Sequence, residues 1–569
     1  MKKIWLIIIC LFCLTMIGCK ENNQNQEQEN NNQNQEQENN SQNQEQEQYS
    51  KNMNYKLNED GITLSLVSVG NCFDTEIIIP SFIEGKKVTR ILKNAFLECD
   101  GITSITFGKN IKIVEDYAIS YCKNLKKIVV SDSLEYFEPM YLVDCALTDL
   151  KVENDFVYIG SHSNERFILL KHTNFDSETI KLHEDIRWLS AYAFQQHKFK
   201  TILLNNGLKK IGRWCFNNSD NVVSLNIPMT VELIDEYAFY ECSNLSDINI
   251  NSDAKLKEIG KLAFSKCVSL ESISLPINLE KLGERCFQDC SGLKNVQDFG
   301  KIREIPDYCF NECISLSKIG SIEQVEIIGT RAFFNCKSLK SINIKDNICK
   351  IGGQAFSNSG LEGEIELTVN EIELGEGVFS SCENISKVIV KIGTLIGGEW
   401  MFAYCDNIEL ITIDLDEIPN YMFHDCGEVL SLSISDKTSK IGAGAFSGNK
   451  LKTIKFPSAL KYIGYQAFSN NLFEEVIIPN GVEYLGAECF SSCGYLKWAV
   501  IPKSVIVAEK HIFKGAGYWY VNIDFQIYCE HVSRPEGFEG YFSHNGMNYY
   551  NVIWGNNWSF SSDGKPYRK

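Results

Sequence analysis

Cysteine and histidine are the residues of this chain best able to do chemistry, and their spacing limits what that chemistry can be. There are 22 cysteines, a number that in a secreted protein suggests a disulfide framework. Three pairs, Cys286/Cys290, Cys309/Cys313 and Cys489/Cys493, repeat a C-x3-C spacing that would supply half of a tetrahedral zinc site. A structural zinc takes four thiolate or imidazole ligands, and no second pair or histidine stands at ligand spacing beside any of the three. His162, His172, His183, His197, His424, His511, His531 and His544 are scattered without metal spacing and read as polar surface residues. Acid pairs such as Glu474/Glu475 and Asp414/Asp416 read as solvated carboxylates, not as a general acid and base. No nucleophile elbow, phosphate-binding loop, H-E-x-x-H or EF-hand loop occurs. The expectation is a protein without catalysis, metal or cofactor.

The cysteines are in phase with a repeat, and the repeat explains them. Phenylalanine recurs about every 23 residues, at Phe216, Phe239, Phe264, Phe287, Phe310, Phe333, Phe356, Phe379 and Phe402, and on through Phe423, Phe446, Phe468, Phe490 and Phe513. Backwards the beat runs through Phe194 to Phe96, with Ile119 and Leu142 holding the same place. The template is I-G-x-x-A-F-x-x-C-x-x-L-x-x-I-x-I-P, read cleanly from Ile259 to Pro276. Cys99, Cys122, Cys145, Cys242, Cys267, Cys290, Cys313, Cys336, Cys382, Cys405, Cys426 and Cys493 all stand three residues after the anchor. That is a stacking position, where cysteine acts as a small buried hydrophobe and a weak donor to the next coil's backbone. The coils of Phe194, Phe356, Phe446 and Phe468 have a shorter turn and lack this cysteine, so it belongs to the geometry of the longer turn.

A fixed period of this length marks a solenoid of stacked coils. The L-x-x-I-x-I part alternates as a half-buried strand does, and proline after it closes the strand. Stacked coils then form a parallel β-sheet on one face, and A-F-x-x-C is expected as a short helical or 3-10 turn opposite. The glycine before that turn permits either positive φ or close backbone stacking.

The ends differ in composition. Lys2 and Lys3 precede an apolar run from Ile4 to Ile17 that ends in Met16-Ile17-Gly18-Cys19. This resembles a bacterial lipobox, which implies diacylation of Cys19 and a cell-envelope protein anchored by lipid in the outer or the cell membrane. Residues 1–18 are then the lipoprotein signal peptide. Residues 19–52 are the lipidated cysteine and an Asn/Gln/Glu-rich tether too polar to build a core. An N-terminal cap and first coil (53–95) lead into the repeat array (96–518), in which Asp155–His172 reads as a β-hairpin elaborating one coil. Residues 519–569 leave the template and are expected to cap the C-terminal end. A net charge of −18 argues against nucleic acid as a partner.

The repeat, the segment IIIPSFIEGKKVTRILKNAF from Ile77 to Phe96, and the terminal IYCEHVSRPEGFEGYF with VIWG from Ile527 to Gly555 resemble BspA-like surface proteins. The resemblance implies a right-handed leucine-rich-repeat solenoid displayed on host-associated bacteria. It also implies adhesin-like binding of host extracellular-matrix or cell-surface proteins, such as fibronectin and fibrinogen, or of another bacterial surface. The ligand-face candidates are the outward strand residues Thr106, Asn226, Asn249, Ser274, Asn343 and Thr412. The alternative is a structural or glycan-binding envelope protein that uses Trp519, Tyr549, Tyr550, Trp554 and Trp558 as an aromatic platform.

Overall fold

The computed structural model describes residues 48–517, 525–538 and 551–569. The segments expected as signal peptide and tether, with Cys19, lie wholly or nearly so outside the described residues, as do Trp519, Tyr549 and Tyr550. The chain divides into two compact units: the described residues up to Phe137 with Tyr141–Asp149, and Glu138–Met140 with Leu150–Lys569. The first opens on an antiparallel hairpin, Asn54–Leu57 with Leu64–Ser68, whose turn Asp60 braces by accepting from the backbone of Ile62 and Thr63. Its coils then stack in parallel, Glu76–Ile78 on Ser104–Thr106 on Lys127–Val129.

In the second unit each regular coil contributes to two parallel sheets, where the template pointed to one. Ser224–Ile227, Asp247–Ile250, Ser272–Ser274, Asn295–Gln297 and Lys318–Ile319 pair in register. Along them buried Leu225, Ile227, Ile248 and Ile250 alternate with exposed Ser224, Asn226, Asp247 and Asn249. The isoleucine of I-G makes a second ladder of two-residue strands, Lys210–Ile211, Leu233–Ile234, Glu258–Ile259 and Lys281–Leu282. The two ladders are the sides of one apolar core.

The A-F-x-x-C segment is neither α-helical nor 3-10. Among the described residues the only helical turns are Pro139–Tyr141 and Gly555–Asn557. The segment instead runs through consecutive β-turns, such as Cys215 N to Gly212 O and Ser219 N to Phe216 O. The residues two before and two after the anchor take positive φ, as at Trp214 (54°) and Asn218 (55°). That conformation costs about 1–2 kcal/mol in a residue other than glycine. In return it points alternate amides at the next coil: Trp214 N donates to Glu236 O, Phe216 N to Ala238 O and Asn218 N to Tyr240 O. The turn face is thereby hydrogen-bonded coil to coil, as a sheet is. Close stacking, not positive φ, explains the template glycine: a Cβ on Gly464 would lie 2.7 Å from Ala443 N.

The anchors form one offset pile of rings. Phe239, Phe264, Phe287 and Phe310 follow one another at 5.1–5.5 Å with planes within 2° of parallel. The cysteine slot is a donor position whose direction is opposite to the expectation. In the second unit each slot thiol reaches the anchor carbonyl of the preceding coil, as in Cys242 to Phe216 (3.0 Å), Cys290 to Phe264 (3.0 Å), Cys313 to Phe287 (3.1 Å) and Cys405 to Phe379 (3.1 Å). Ser219 does the same toward Phe194 and Asn471 toward Phe446, so the slot requires a small or slender donor. Cys99 and Cys145 of the first unit instead reach Leu97 O and Val143 O of their own coils. Burial pushes the Cys242 thiol up to about 12, whereas hydrogen bonding with Cys122 draws half-buried Cys99 down. Iodoacetamide is therefore expected to label Cys99 and exposed Cys349 in the folded protein and to spare Cys290 and Cys313 until unfolding. Peptide mapping reads this directly, and native-state labelling of Cys290 would contradict the packing.

Two histidines expected at the surface are interior. His172 (5% exposed) ends the hairpin formed by Phe156–Ser161 and Ile168–His172, and His197 (3% exposed) fills the donor slot of its coil. Their rings lie 5.3 Å apart, and Phe175 stacks on His197 at 4.4 Å. Among the described residues, His172 Nδ1 and His197 Nε2 have no hydrogen-bond partner. Burial lowers the pKa of both, so the fold holds them neutral. The stability this confers is present above the ordinary histidine pKa and is lost as pH falls through the folded-state value. Melting temperature should drop between about pH 7 and about pH 5. The drop should be smaller in His197→Asn, which places an amide in the slot as Asn471 does; an equal drop in both proteins would exclude the pair as its source.

The same unit buries an ion triad. Lys210 Nζ bonds Glu138 and lies 3.1 Å from Asp235, with its ammonium 5.6 Å from the Trp188 ring centroid. At the far end, the pile runs from Phe513 to Phe525 at 5.3 Å, and Phe538 also joins the core. A smaller apolar cluster, Val500, Tyr528, Ile553 and Trp558, forms separately from the main core beside Trp498. The hairpin Trp558–Phe560 with Pro566–Arg568 supplies its tryptophan.

Candidate ligand-binding face

The outward strand residues of the second unit are held by the buried alternation of their neighbours. Asn226 and Asn249 lie opposite one another, the Asn249 amide donating to Asn226 Oδ1 at 3.0 Å, and Ser274 sits on the next strand of the same sheet. Thr412 belongs to a different sheet, opposite Ile389 and Ser433. Thr106 lies in the first unit, opposite Ile78 and Val129. The flanking charges pair coil to coil, Lys294 with Glu271 (3.1 Å), Lys340 with Glu362 (2.9 Å) and Lys387 with Glu364 (3.1 Å). Exposed pairs of this kind contribute about 0–1 kcal/mol each.

Asn343 is the exception among the candidates. Residues 341–345 form no strand, so the five-stranded sheet stops at Lys318–Ile319. Beyond the gap come two long parallel strands, Glu362–Leu374 and Asn384–Gly397. No proline closes either strand, and both run from the outward sheet into the second ladder, where Lys350 meets Glu373. In the gap, Asn343 lines a cavity of about 270 Å³ together with Ile319, Ser321, Ile342 and Lys345. Asp346 opens a second cavity of about 320 Å³, lined by Thr368, Asn370, Lys391, Gly393 and Asp414. Consecutive residues Lys345, Asp346 and Asn347 divide between the two.

The second cavity has a defined charge pattern. Asp346 Oδ1 accepts from Asn370 N at 3.1 Å. A hydrogen bond from Ser435, with Lys437 beside it, holds Asp414 below the usual carboxylate range. Lys437 lies 3.3 Å from Asp414, while Lys391 makes no ion pair within 4 Å among the described residues and faces the opening. Both cavities are at or near the lower bound of small-ligand pockets, about 300–1,000 Å³. Each has room for one or two side chains of a bound segment. The template missed Lys391, Asp346 and Gly393. Their one sequence signal is the absent proline after Leu367-Thr368-Val369, which lets the strand continue.

The aromatic platform candidates are turned inward where they can be seen. Trp558 is 7% exposed, in the smaller cluster, with Nε1 donating to Cys529 O at 3.2 Å, and Trp554 packs partly buried against the main core.

Stacked coils with two parallel ladders, an aromatic pile and an outward sheet face define a leucine-rich-repeat solenoid. The chain belongs to the BspA type leucine rich repeat family, whose profile of six copies matches residues 53–171, 171–294, 303–426 and 416–532. Among solved structures it is similar to a leucine-rich repeat protein from Bacteroides ovatus, at 19% identity over 68% of this chain and 100% of that one, with a TM-score of 0.38. It is also similar to a leucine rich cell surface protein from Faecalibacterium prausnitzii, at 18% identity over 69% of this chain and 95% of that one, with a TM-score of 0.35. The T. pallidum leucine rich repeat protein matches at 16% identity over 52% of this chain and 91% of that one, with a TM-score of 0.22. No curated protein matches the chain.

Proposed function

We propose that this is a non-catalytic cell-surface protein that binds an extended segment of another protein across its outward sheet face, held to the membrane by lipid on Cys19. The partner is a host matrix or cell-surface protein, or a protein of another bacterial surface. The observation that carries the reading is the pair of adjoining cavities at the sheet break. They place hydrogen-bonding groups and the exposed Lys391 ammonium on a face where many neighbouring charges pair coil to coil. Anchor side chains entering such hollows supply most of the binding energy in protein interfaces. The full chain in detergent is tested against immobilised fibronectin and fibrinogen. Lys391→Glu and Asn343→Trp are expected to weaken binding at least tenfold with an unchanged melt; wild-type binding by both variants would remove this face from consideration. Loss of membrane partition in Cys19→Ala checks the anchor.

A further inference from the structure

We propose that a second ligand site lies on the turn face of the second unit, where Trp400 and Tyr404 form a shelf for the apolar face of a neutral sugar ring. The turn position two residues before each anchor holds a side chain in almost every coil, and these side chains cover one another. Trp214 stacks between Tyr192 (6.4 Å, 11°) and Tyr237 (3.9 Å, 7°). Further along, Arg285 covers Tyr308 at 4.7 Å. At Trp400 the series starts afresh, because the coil before it has Gly377 in that position.

The two glycines flanking this group differ in what they do. Trp400 lies on Tyr421 at 4.2 Å and 10°, and a Cβ on Gly444 in the following coil would run into the Tyr421 ring. Gly444 is thus explained by close packing. A Cβ on Gly377 would meet Ser380 Oγ at 3.1 Å and Gln354 Cγ at 3.5 Å, with no Trp400 atom among its three nearest neighbours. At the matching position of the adjacent coil, Gly377 offers no side chain to cover the Trp400 face on that side, and Trp400 itself is half-buried. Beside it in the same coil is Tyr404, 44% exposed, its ring 6.1 Å from Trp400 and tilted by 20°. The position corresponding to Tyr404 in the coil before is Ser381, also small. His424 stands edge-on to Trp400, Tyr404 and Tyr421 at 5.3–5.7 Å and buttresses all three.

The arrangement selects a chemistry. Aromatic faces carry negative partial charge, which suits the C–H face of a pyranose. Near-parallel rings make a shelf, whereas a quaternary ammonium is held by rings that surround it. Glu399, Asp406 and Asn407 are exposed on the same coil, and Glu376 and Asp425 on the adjoining ones; the carboxylates are acceptors for sugar hydroxyls and a repulsive rim for sialylated or sulfated glycans.

The full chain in detergent is titrated by calorimetry with cellotetraose, chitotetraose and β-1,4-galactotetraose, and separately with choline and sialyllactose. Saturable binding of a neutral tetrasaccharide is expected, at least tenfold weaker in Trp400→Ala and in Gly377→Gln. The second variant fills the step; Gln354 occupies the same turn position at φ 55°, so the fold tolerates it, and a melt verifies this. Binding of choline or sialyllactose in place of the neutral sugars, no binding of any neutral tetrasaccharide, or wild-type binding by folded Gly377→Gln would each overturn the proposal. None of these results depends on the sheet face.

Discussion

Lys210→Met is expected to destabilise the second unit by about 3–5 kcal/mol, the effect of breaking a buried ion pair from one side. The Lys210 side chain is 6% exposed and its partners Glu138 and Asp235 are 2% and 13% exposed, so water cannot replace the ammonium. Burial pushes the Glu138 carboxyl up even with Lys210 beside it. In the variant, two carboxylates face each other with that charge gone, and the Arg213 guanidinium, 3.9 Å from Asp235, offsets only part of the loss. A raised carboxyl pKa stabilises the fold below the unfolded-state value and loses that contribution as pH rises through the folded-state value. The deficit should therefore be largest at neutral pH and shrink toward the ordinary carboxylate range. Adding Glu138→Gln and Asp235→Asn to Lys210→Met should restore most of the loss. Denaturant melts of wild type, Lys210→Met, Glu138→Gln with Asp235→Asn, and the triple variant read the cycle, and Lys210→Met within about 1 kcal/mol of wild type would contradict the burial.

Phe310→Ala should cost about as much, roughly 3–5 kcal/mol, and should also change the form of the transition. Phe310 is fully buried between Phe287 (5.4 Å, 1°) and Phe333 (5.3 Å, 16°), with Phe299 edge-on at 6.2 Å. In a solenoid each coil is stabilised by its two neighbours alone, so a cavity here weakens both junctions of one coil. The expected melt has two steps, and hydrogen exchange should quicken at the amides of Phe287 and Phe310, which bond Cys309 O and Ala332 O. An unaltered single transition would mean that the rings fill space without coupling the coils.

The period of the anchors, the strand alternation and the interior place of most slot cysteines were legible, because each depends on side-chain size at a fixed spacing; Cys99 and Cys145, at the same spacing, are only half-buried. The direction of the thiol bond was not, since spacing is the same whether a donor reaches forward or back. Helical turns were expected because the residues at the two positive-φ positions, among them Trp214, Tyr237, Leu262 and Arg285, give no sign of left-handed backbone; that sign is normally glycine or asparagine. The ion triad was hidden for another reason. Glu138 and Lys210 are 72 residues apart, and lysine one residue before the template isoleucine is exposed elsewhere, as at Lys281. Of the candidate face, the outward residues could be read from the period, but the break at Asn343 could not. It arises where a sequence that still fits the template forms no ladder.

The junctions around Phe264, Phe287 and Phe310 repeat the same backbone bonds, so deleting residues 287–309 would join Cys286 to Phe310 and keep the bond that Phe264 N makes to Cys286 O. Regular coils of this kind are thus interchangeable parts, and recombination between them can shorten or lengthen the array without inventing a new contact. Coils with contacts of their own are exceptions, among them those of the Lys210 triad and the strands where Trp558 settles beside Tyr528. Growth by duplication is therefore expected among the regular coils, and variants of this protein should differ in coil number there while keeping those two places unchanged.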